Sequence, residues 1–185
     1  WARMPKKPTM RAYDYRDIRR DTLWGNLMAG GAGVEYYFGY QLPENDLLCE
    51  NFRSRDKSWD ACRIALEFFQ SHPIPFWKMK SSDSLVGNTK GSNGKPWCLA
   101  AEGEGYVLFV PAESGEVSLT WSQESSPFEA FRFFPDSGEW PEEDEAFTTI
   151  PGEVAQAKLS GSKDRDLVYW LRPARLRPAR LQSTE

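Results

Sequence analysis

The sequence predicts a mixed α/β plus β protein, in which a strand with flanking helices precedes an antiparallel β-sandwich. Apolar periodicity predicts one helix over residues 14–29 and a second over residues 56–70. Between them, residues 34–40 are strand formers that are apolar on both faces, as in a strand of a parallel sheet. Beyond residue 96, short apolar runs alternate with turn signals, which is typical of a sandwich.

The composition is that of a globular protein and narrows the classes of partner. Of 185 residues, 40% are hydrophobic and 27% charged, and the net charge is -4. This acidic balance makes nucleic acid a poor partner, and no apolar run reaches the roughly 18 residues of a membrane span. The sequence has 1 His, which is His72, so it does not favour a histidine-rich metal site, and a Ser-His-Asp triad would have to use His72. We expect no metal or cofactor. Because the chain begins at Trp1, it is expected to come from a longer protein.

In the first half of the chain, local sequence signals predict where the two helices begin and end. Asp14 is placed to cap the first helix, and the glycine-rich run at 30–33 ends it. On the second helix, Trp59, Cys62 and Leu66 form the centre of a stripe that ends at Phe69. Since apolar residues cover more than roughly half of the circumference, this helix is expected to lie between two neighbours.

The second half begins with a polar boundary at residues 81–94. Seven strand-like runs follow, at residues 97–101, 106–110, 117–121, 128–134, 147–150, 156–159 and 167–171. Their spacing predicts a β-sandwich domain over residues 81–171, after a separate unit over residues 1–80. The remaining residues, 172–185, duplicate the sequence Arg-Pro-Ala-Arg-Leu and are expected to form a disordered tail.

The three cysteines do not suggest a metal site. Cys49, Cys62 and Cys98 are odd in number and lack the spacing of zinc ligands. We expect buried free thiols, with one disulfide pair left open as an alternative.

Residues 23–40 carry a resemblance to a known family. The sequence Leu-Trp-Gly-Asn-Leu-Met-Ala-Gly-Gly-Ala-Gly-Val-Glu-Tyr-Tyr-Phe-Gly-Tyr, with residues 46–50 and 52–56, resembles the last βα unit of apiosidase-like glycoside hydrolases. Members of that family often carry a C-terminal module named for collagen binding, which residues 81–171 resemble. The resemblance implies that residues 1–80 are the last βα unit of a (β/α)8 barrel and that an immunoglobulin-like sandwich follows.

The resemblance also implies a chemistry and a location. Such enzymes cleave glycosidic bonds with two carboxylates, which lie about 5 Å apart in retaining enzymes. Both would precede Trp1, so no catalytic residue is assigned to this chain. The parent protein would be secreted or periplasmic and would act on a polysaccharide or oligosaccharide. A collagen-like protein is a further implied partner.

Four residues are predicted to contact substrate: Glu35 and Tyr37 on the strand, and Asp46 and Glu50 in the loop after it. Glu35 and Tyr37 share a face because side chains alternate along a strand. For Glu35, an ion pair with Arg53 or Arg55 is the alternative to a role at the barrel mouth. The acidic run at residues 139–145 is expected to be solvated, with Ca²⁺ binding as the alternative.

Three functions therefore stay open. The first is a fragment of a glycoside hydrolase that lacks the catalytic pair. The second is a non-catalytic module that binds carbohydrate or a matrix protein such as collagen. The third is a truncated reading frame without an independent function.

Overall fold

The computed structural model describes residues 14–36, 52–88, 94–121, 127–142, 146–152 and 156–174. Its helical part comprises α1 (Tyr15–Asp17), a π-helical segment (Ile18–Trp24), α2 (Gly25–Met28) and α3 (Asp56–Ser71). Short 3₁₀ turns occupy Phe52–Arg55, Phe76–Lys78 and Asp83–Leu85. None of the helices in these ranges has the length and apolar character that crossing a bilayer requires.

The described strands form two antiparallel sheets. They are β1 (Lys80–Ser81), β2 (Val86–Asn88), β3 (Trp97–Ala101), β4 (Gly105–Val110), β5 (Glu116–Thr120), β6 (Phe128–Phe133), β7 (Thr148–Ile150), β8 (Gln156–Ser160) and β9 (Leu167–Pro173). One sheet has six strands in the order β1-β3-β4-β9-β6-β7, and the other has the order β2-β5-β8. The strand-like runs of the second half are thus confirmed, with ends shifted by one or two residues.

The six-stranded sheet is the middle of three layers. On β4, Tyr106 and Leu108 belong to an apolar core shared with the three-stranded sheet, whereas Val107 and Phe109 belong to a core shared with the helices. All six residues of β4 are buried for this reason. The core on the helical side contains residues from both sides of the predicted boundary at residue 80.

Trp24 lies at the centre of the helical-side core. Its side chain is fully buried, and its ring centroid lies 5.5 Å from that of Phe68 on α3 and 5.6 Å from that of Phe109 on β4. Aromatic rings at these separations gain from quadrupole contacts in addition to burial. The ring thereby joins the first helical run, α3 and the central sheet.

The first helical run begins and ends as predicted. The Asp14 side chain accepts hydrogen bonds from the backbone N–H groups of Arg16 and Asp17, and the Asp17 side chain accepts one from the Asp14 N–H, which completes a capping box. Gly30 adopts φ 90° after α2, the left-handed conformation that glycine tolerates at a helix end.

The structure determines which face of α3 is buried, which the width of its apolar arc left open. Its buried residues are Ser58, Ala61, Ile64, Ala65 and Phe68, whereas Trp59 and Leu66 of the predicted central stripe are exposed. The apolar arc of this helix is wide enough to allow either face to be buried. The buried face contacts the central sheet through Phe68, whose ring centroid lies 4.9 Å from that of Phe133 on β6.

The prediction that residues 1–80 form the last βα unit of a (β/α)8 barrel is wrong. The structure consists mainly of antiparallel sheets, and residues 34–36 of the predicted parallel strand lie outside any strand. Residues 37–40 of that prediction fall outside the described residues. Apolar residues on both faces report burial on two sides, and an antiparallel sheet between two layers produces the same pattern. Strands β3, β4, β6 and β9 each contribute buried residues to both cores.

Candidate functional site

The residues predicted to contact substrate are not grouped by the described structure. Glu35 is exposed. Tyr37, Asp46 and Glu50 fall outside the described residues, so their role stays a prediction. Next to Glu35, the hydroxyl of Tyr36 lies 3.9 Å from the Cys62 sulfur on α3, and burial raises the pKa of this tyrosine.

The acidic run at residues 139–145 is partly engaged by neighbouring side chains. Glu139 accepts a hydrogen bond from Ser137 Oγ at 3.0 Å, and Glu142 forms an ion pair with Arg132. Residues 143–145 fall outside the described ranges. Within those ranges, no group of three or more His, Cys, Asp or Glu side chains is arranged to hold a metal ion.

Among the described residues, the most distinctive surface is apolar. Trp59 and Leu66 on α3 are 47% and 57% exposed, and Phe76 and Trp77 after α3 are 52% and 71% exposed. The ring centroid of half-buried Phe69 lies 5.9 Å from that of Phe76, which lies 5.4 Å from that of Trp77. Phe69 also follows Leu66 by three residues on α3, so the two side chains lie on the same side of the helix. We call Trp59, Leu66, Phe69, Phe76 and Trp77 the apolar face.

The apolar face has the character of an interaction surface. Single exposed apolar residues are ordinary on soluble proteins, but a contiguous group that includes large aromatic rings marks a site of association. Charged pairs border it: Lys78 bonds Glu104 at 2.8 Å, and Arg63 bonds Glu67 at 2.9 Å. The sequence predicts that α3 has neighbours on two sides. The sheet is one neighbour, and the apolar face is where a second neighbour would pack. The sequence signal for this surface is the pair of consecutive aromatic residues Phe76 and Trp77, which follows the end of α3.

Cys62 and Cys98 are free thiols, and Cys98 is fully buried in β3. Cys49 falls outside the described residues. Burial, with a smaller effect of Asp83, raises the pKa of Cys98 from 9.0 to about 12. Its thiol is therefore a structural group in the folded protein and a weak nucleophile.

This pKa predicts alkaline destabilisation. Because the folded-state pKa of Cys98 is raised, its contribution to stability is complete below pH 9.0 and is lost as pH rises toward about 12. Over that window the free energy of unfolding should fall by about 1.4 kcal/mol per pH unit from this group. In urea titrations at several pH values, Cys98→Ala should show a shallower decline. An identical decline in both proteins would contradict the assignment.

Comparison with solved structures relates this fold to glycosidases. A glycoside hydrolase family 5 protein from Bacteroides vulgatus superposes with a TM-score of 0.64 and 12% sequence identity, over 91% of this chain and 38% of that chain. A second structure, named glycoside hydrolase, superposes with a TM-score of 0.62 and 12% identity, over 90% of this chain and 38% of that chain. No family model matches the sequence, and no curated protein does.

At this identity the likeness shows the fold alone. The chain has a glycosidase-related fold and spans less than half the length of either structural neighbour. The coarse part of the sequence resemblance, to glycoside hydrolases, agrees with this finding.

Proposed function

We propose that this chain is a non-catalytic β-sandwich part of a longer glycoside hydrolase, and that the apolar face is covered by the rest of that hydrolase. The observation that carries the proposal is the apolar face itself. The likeness to about two-fifths of two glycoside hydrolase chains supports the choice of partner. In this proposal the two catalytic carboxylates lie in the remaining part, which cleaves glycosidic bonds of a polysaccharide.

The size of the apolar face suits an interface within one chain. A large aromatic side chain buries about 150–250 Å², so residues exposed by about half would together contribute roughly 400 Å². At about 25 cal/mol per Å², covering this area would give about 10 kcal/mol before the costs of association. Interfaces between domains of one chain bury about 600–1,500 Å² in total, which this face could supply from one side.

The finer family assignment belongs to the same proposal. An apiosidase-like parent, a polysaccharide or oligosaccharide substrate and a secreted or periplasmic location follow from the sequence resemblance. A collagen-like partner follows only from the name of the module and stays a prediction.

Removing the apolar face should change association without changing stability. In the isolated chain, Leu66→Ser with Trp77→Ser should reduce self-association and the binding of a hydrophobic dye, because both side chains are largely exposed. The melting temperature should change by no more than about 2 °C, since surface substitutions are nearly neutral. Phe147→Ser, on an exposed ring outside the apolar face, is the control and should leave self-association as in wild type.

The decisive test uses a longer protein, extended to include the residues encoded upstream of Trp1. The coding sequence upstream of Trp1 should encode the catalytic part, and the extended protein should hydrolyse a polysaccharide. In it, Leu66→Ser with Trp77→Ser should accelerate protease cleavage between the parts by at least about tenfold, the factor that corresponds to about 1.4 kcal/mol, because these are the most exposed side chains of the apolar face. An upstream sequence without a hydrolase part, or unchanged proteolysis, would refute the proposal.

A further inference from the structure

A polar cleft of about 380 Å³ lies between α3 and the turn that follows β6. Its volume lies in the range of small-molecule sites, about 300–1,000 Å³. One wall comes from α3, the opposite wall from the turn, and the aromatic ring of Tyr15 lies at the cleft as well. The polar side chains that line it are Lys57, Asp60, Arg63, Asp136 and Ser137.

The turn wall is held in place by several interactions. The N–H of Gly138 donates to the Phe134 carbonyl at 2.8 Å, and Phe134 pairs with Glu139 across the turn. Arg165 bonds Asp136 at 2.6 Å, and its guanidinium lies 3.9 Å from the centroid of the Phe134 ring. The wall is thus pre-organised, which lowers the entropic cost of binding a ligand.

The side chains of the helix wall lie together because of their spacing along α3. Lys57, Asp60 and Ile64 recur at intervals of three and four, so they lie on one flank of α3. A Cβ at Gly138, which has φ 81°, would lie 3.3 Å from Ile64 Cγ1, so the turn approaches the helix closely at the cleft floor. Arg63 bonds Glu67 at 2.9 Å and lies 3.6 Å from Asp60, and its hydrogen bond to Glu67 raises the pKa of the guanidinium.

The charges of the cleft select the class of ligand. Two cations, Lys57 and Arg63, are balanced by two anions, Asp60 and Asp136. An anionic ligand would meet the carboxylates and a cationic ligand would meet the cations, while the exposed Arg63 and Asp60 side chains, 56% and 63% exposed, make the cleft a poor site for an apolar ligand. A neutral polyol has hydroxyl groups that both donate and accept hydrogen bonds, so each can bond to groups of either kind.

We propose that this cleft binds one or two residues of a neutral glycan and gives the sandwich its own, non-catalytic contact with a polysaccharide. The choice of a glycan over other polyols rests on the proposed function. The geometry separates most of the cleft from the apolar face, because at 100° per residue Lys57 and Ile64 lie roughly opposite Trp59 and Leu66 on α3. Arg63 is the cleft residue next to the apolar face, so a cover on that face would reach the rim of the cleft and leave the side formed by Lys57, Asp136 and Ser137 open.

The test uses the full chain and soluble polysaccharides as probes. Affinity electrophoresis in gels that contain neutral glucans, xylan, mannan or arabinan should show retardation by at least one of them. NMR titration with the matching oligosaccharide should shift signals of residues at the cleft. Ser137→Trp, which places an indole in the cleft, and Asp60→Ala should each weaken binding at least tenfold.

Controls separate this inference from other outcomes. Lys158→Met removes a cation on the three-stranded sheet and should leave binding unchanged. If no neutral glycan binds, if Ser137→Trp binds as wild type does, or if polygalacturonate binds in preference to neutral polymers, the inference is wrong. Leu66→Ser with Trp77→Ser should keep glycan binding. Glycan binding without an upstream hydrolase part would overturn the proposed function and leave the cleft assignment standing.

Discussion

Replacing Trp24 with alanine is expected to lower the free energy of unfolding by about 3–5 kcal/mol. The side chain is fully buried, and alanine would leave a cavity among Phe68, Phe109 and Phe133, whose ring centroids lie within 6.4 Å of the indole. Since a domain of this kind is stable by only about 5–15 kcal/mol, a large share of the molecules should unfold at modest denaturant concentration. Equilibrium unfolding in urea, followed by tryptophan fluorescence and circular dichroism, measures the change.

The matched control is Trp77→Ala. It deletes the same side chain where 71% of the residue is exposed, so we expect a loss below about 1 kcal/mol. Comparable losses in both variants would contradict the placement of Trp24 at the centre of the helical-side core.

The second large effect is expected at Asp166, just before β9. Its Oδ2 accepts a hydrogen bond from Arg19 Nη2 at 2.8 Å, and its Oδ1 accepts one from the N–H of Ala112 at 2.9 Å. Both side chains of the ion pair are buried, with 7% of Arg19 and 5% of Asp166 exposed. Asp166→Ala would leave the guanidinium buried without its counter-charge, which typically costs about 3–5 kcal/mol.

An exposed ion pair provides the comparison. Glu104→Ala breaks the pair with Lys78, in which about half of each side chain is exposed, and should cost less than about 1 kcal/mol. The double variant Arg19→Met with Asp166→Leu should recover part of the loss, because replacing both charges by apolar groups removes the uncompensated charge. A cost for Asp166→Ala similar to that for Glu104→Ala would show that the pair is solvated.

These two variants also bear on the domain boundary predicted near residue 80. Trp24 and Arg19 precede it, whereas Phe109, Phe133 and Asp166 follow it. If the helical run and the sandwich form one cooperative unit, each variant should shift a single transition that fluorescence and circular dichroism report alike. Two separate transitions would support the predicted division.

Local sequence signals determined the secondary structure of most described elements. Asp14 capped its helix because a short acceptor before the first turn satisfies free N–H groups wherever the helix lies. Gly30 ended that run because few other residues adopt positive φ. The strands from β3 to β9 followed from alternating apolar runs between turns, which depend only on neighbours along the chain.

Direction of pairing, choice of buried face and assembly of sites depended on distant residues. The sequence of β4 shows that both of its faces are buried, but only its antiparallel partners β3 and β9 reveal that it does not belong to a parallel barrel. On α3, the apolar stripe and the small-residue face were both suited to burial, and the central sheet determined which one was used. The polar cleft could not be predicted, because Asp60 and Asp136 are 76 positions apart and meet only through the close approach of Gly138 to Ile64.

The sequence by itself thus determined which segments are helices and strands and that much of the chain is buried on two sides. Tertiary structure alone decided what lies on each side, because burial depends on the layer that covers a segment and not on the segment's own residues.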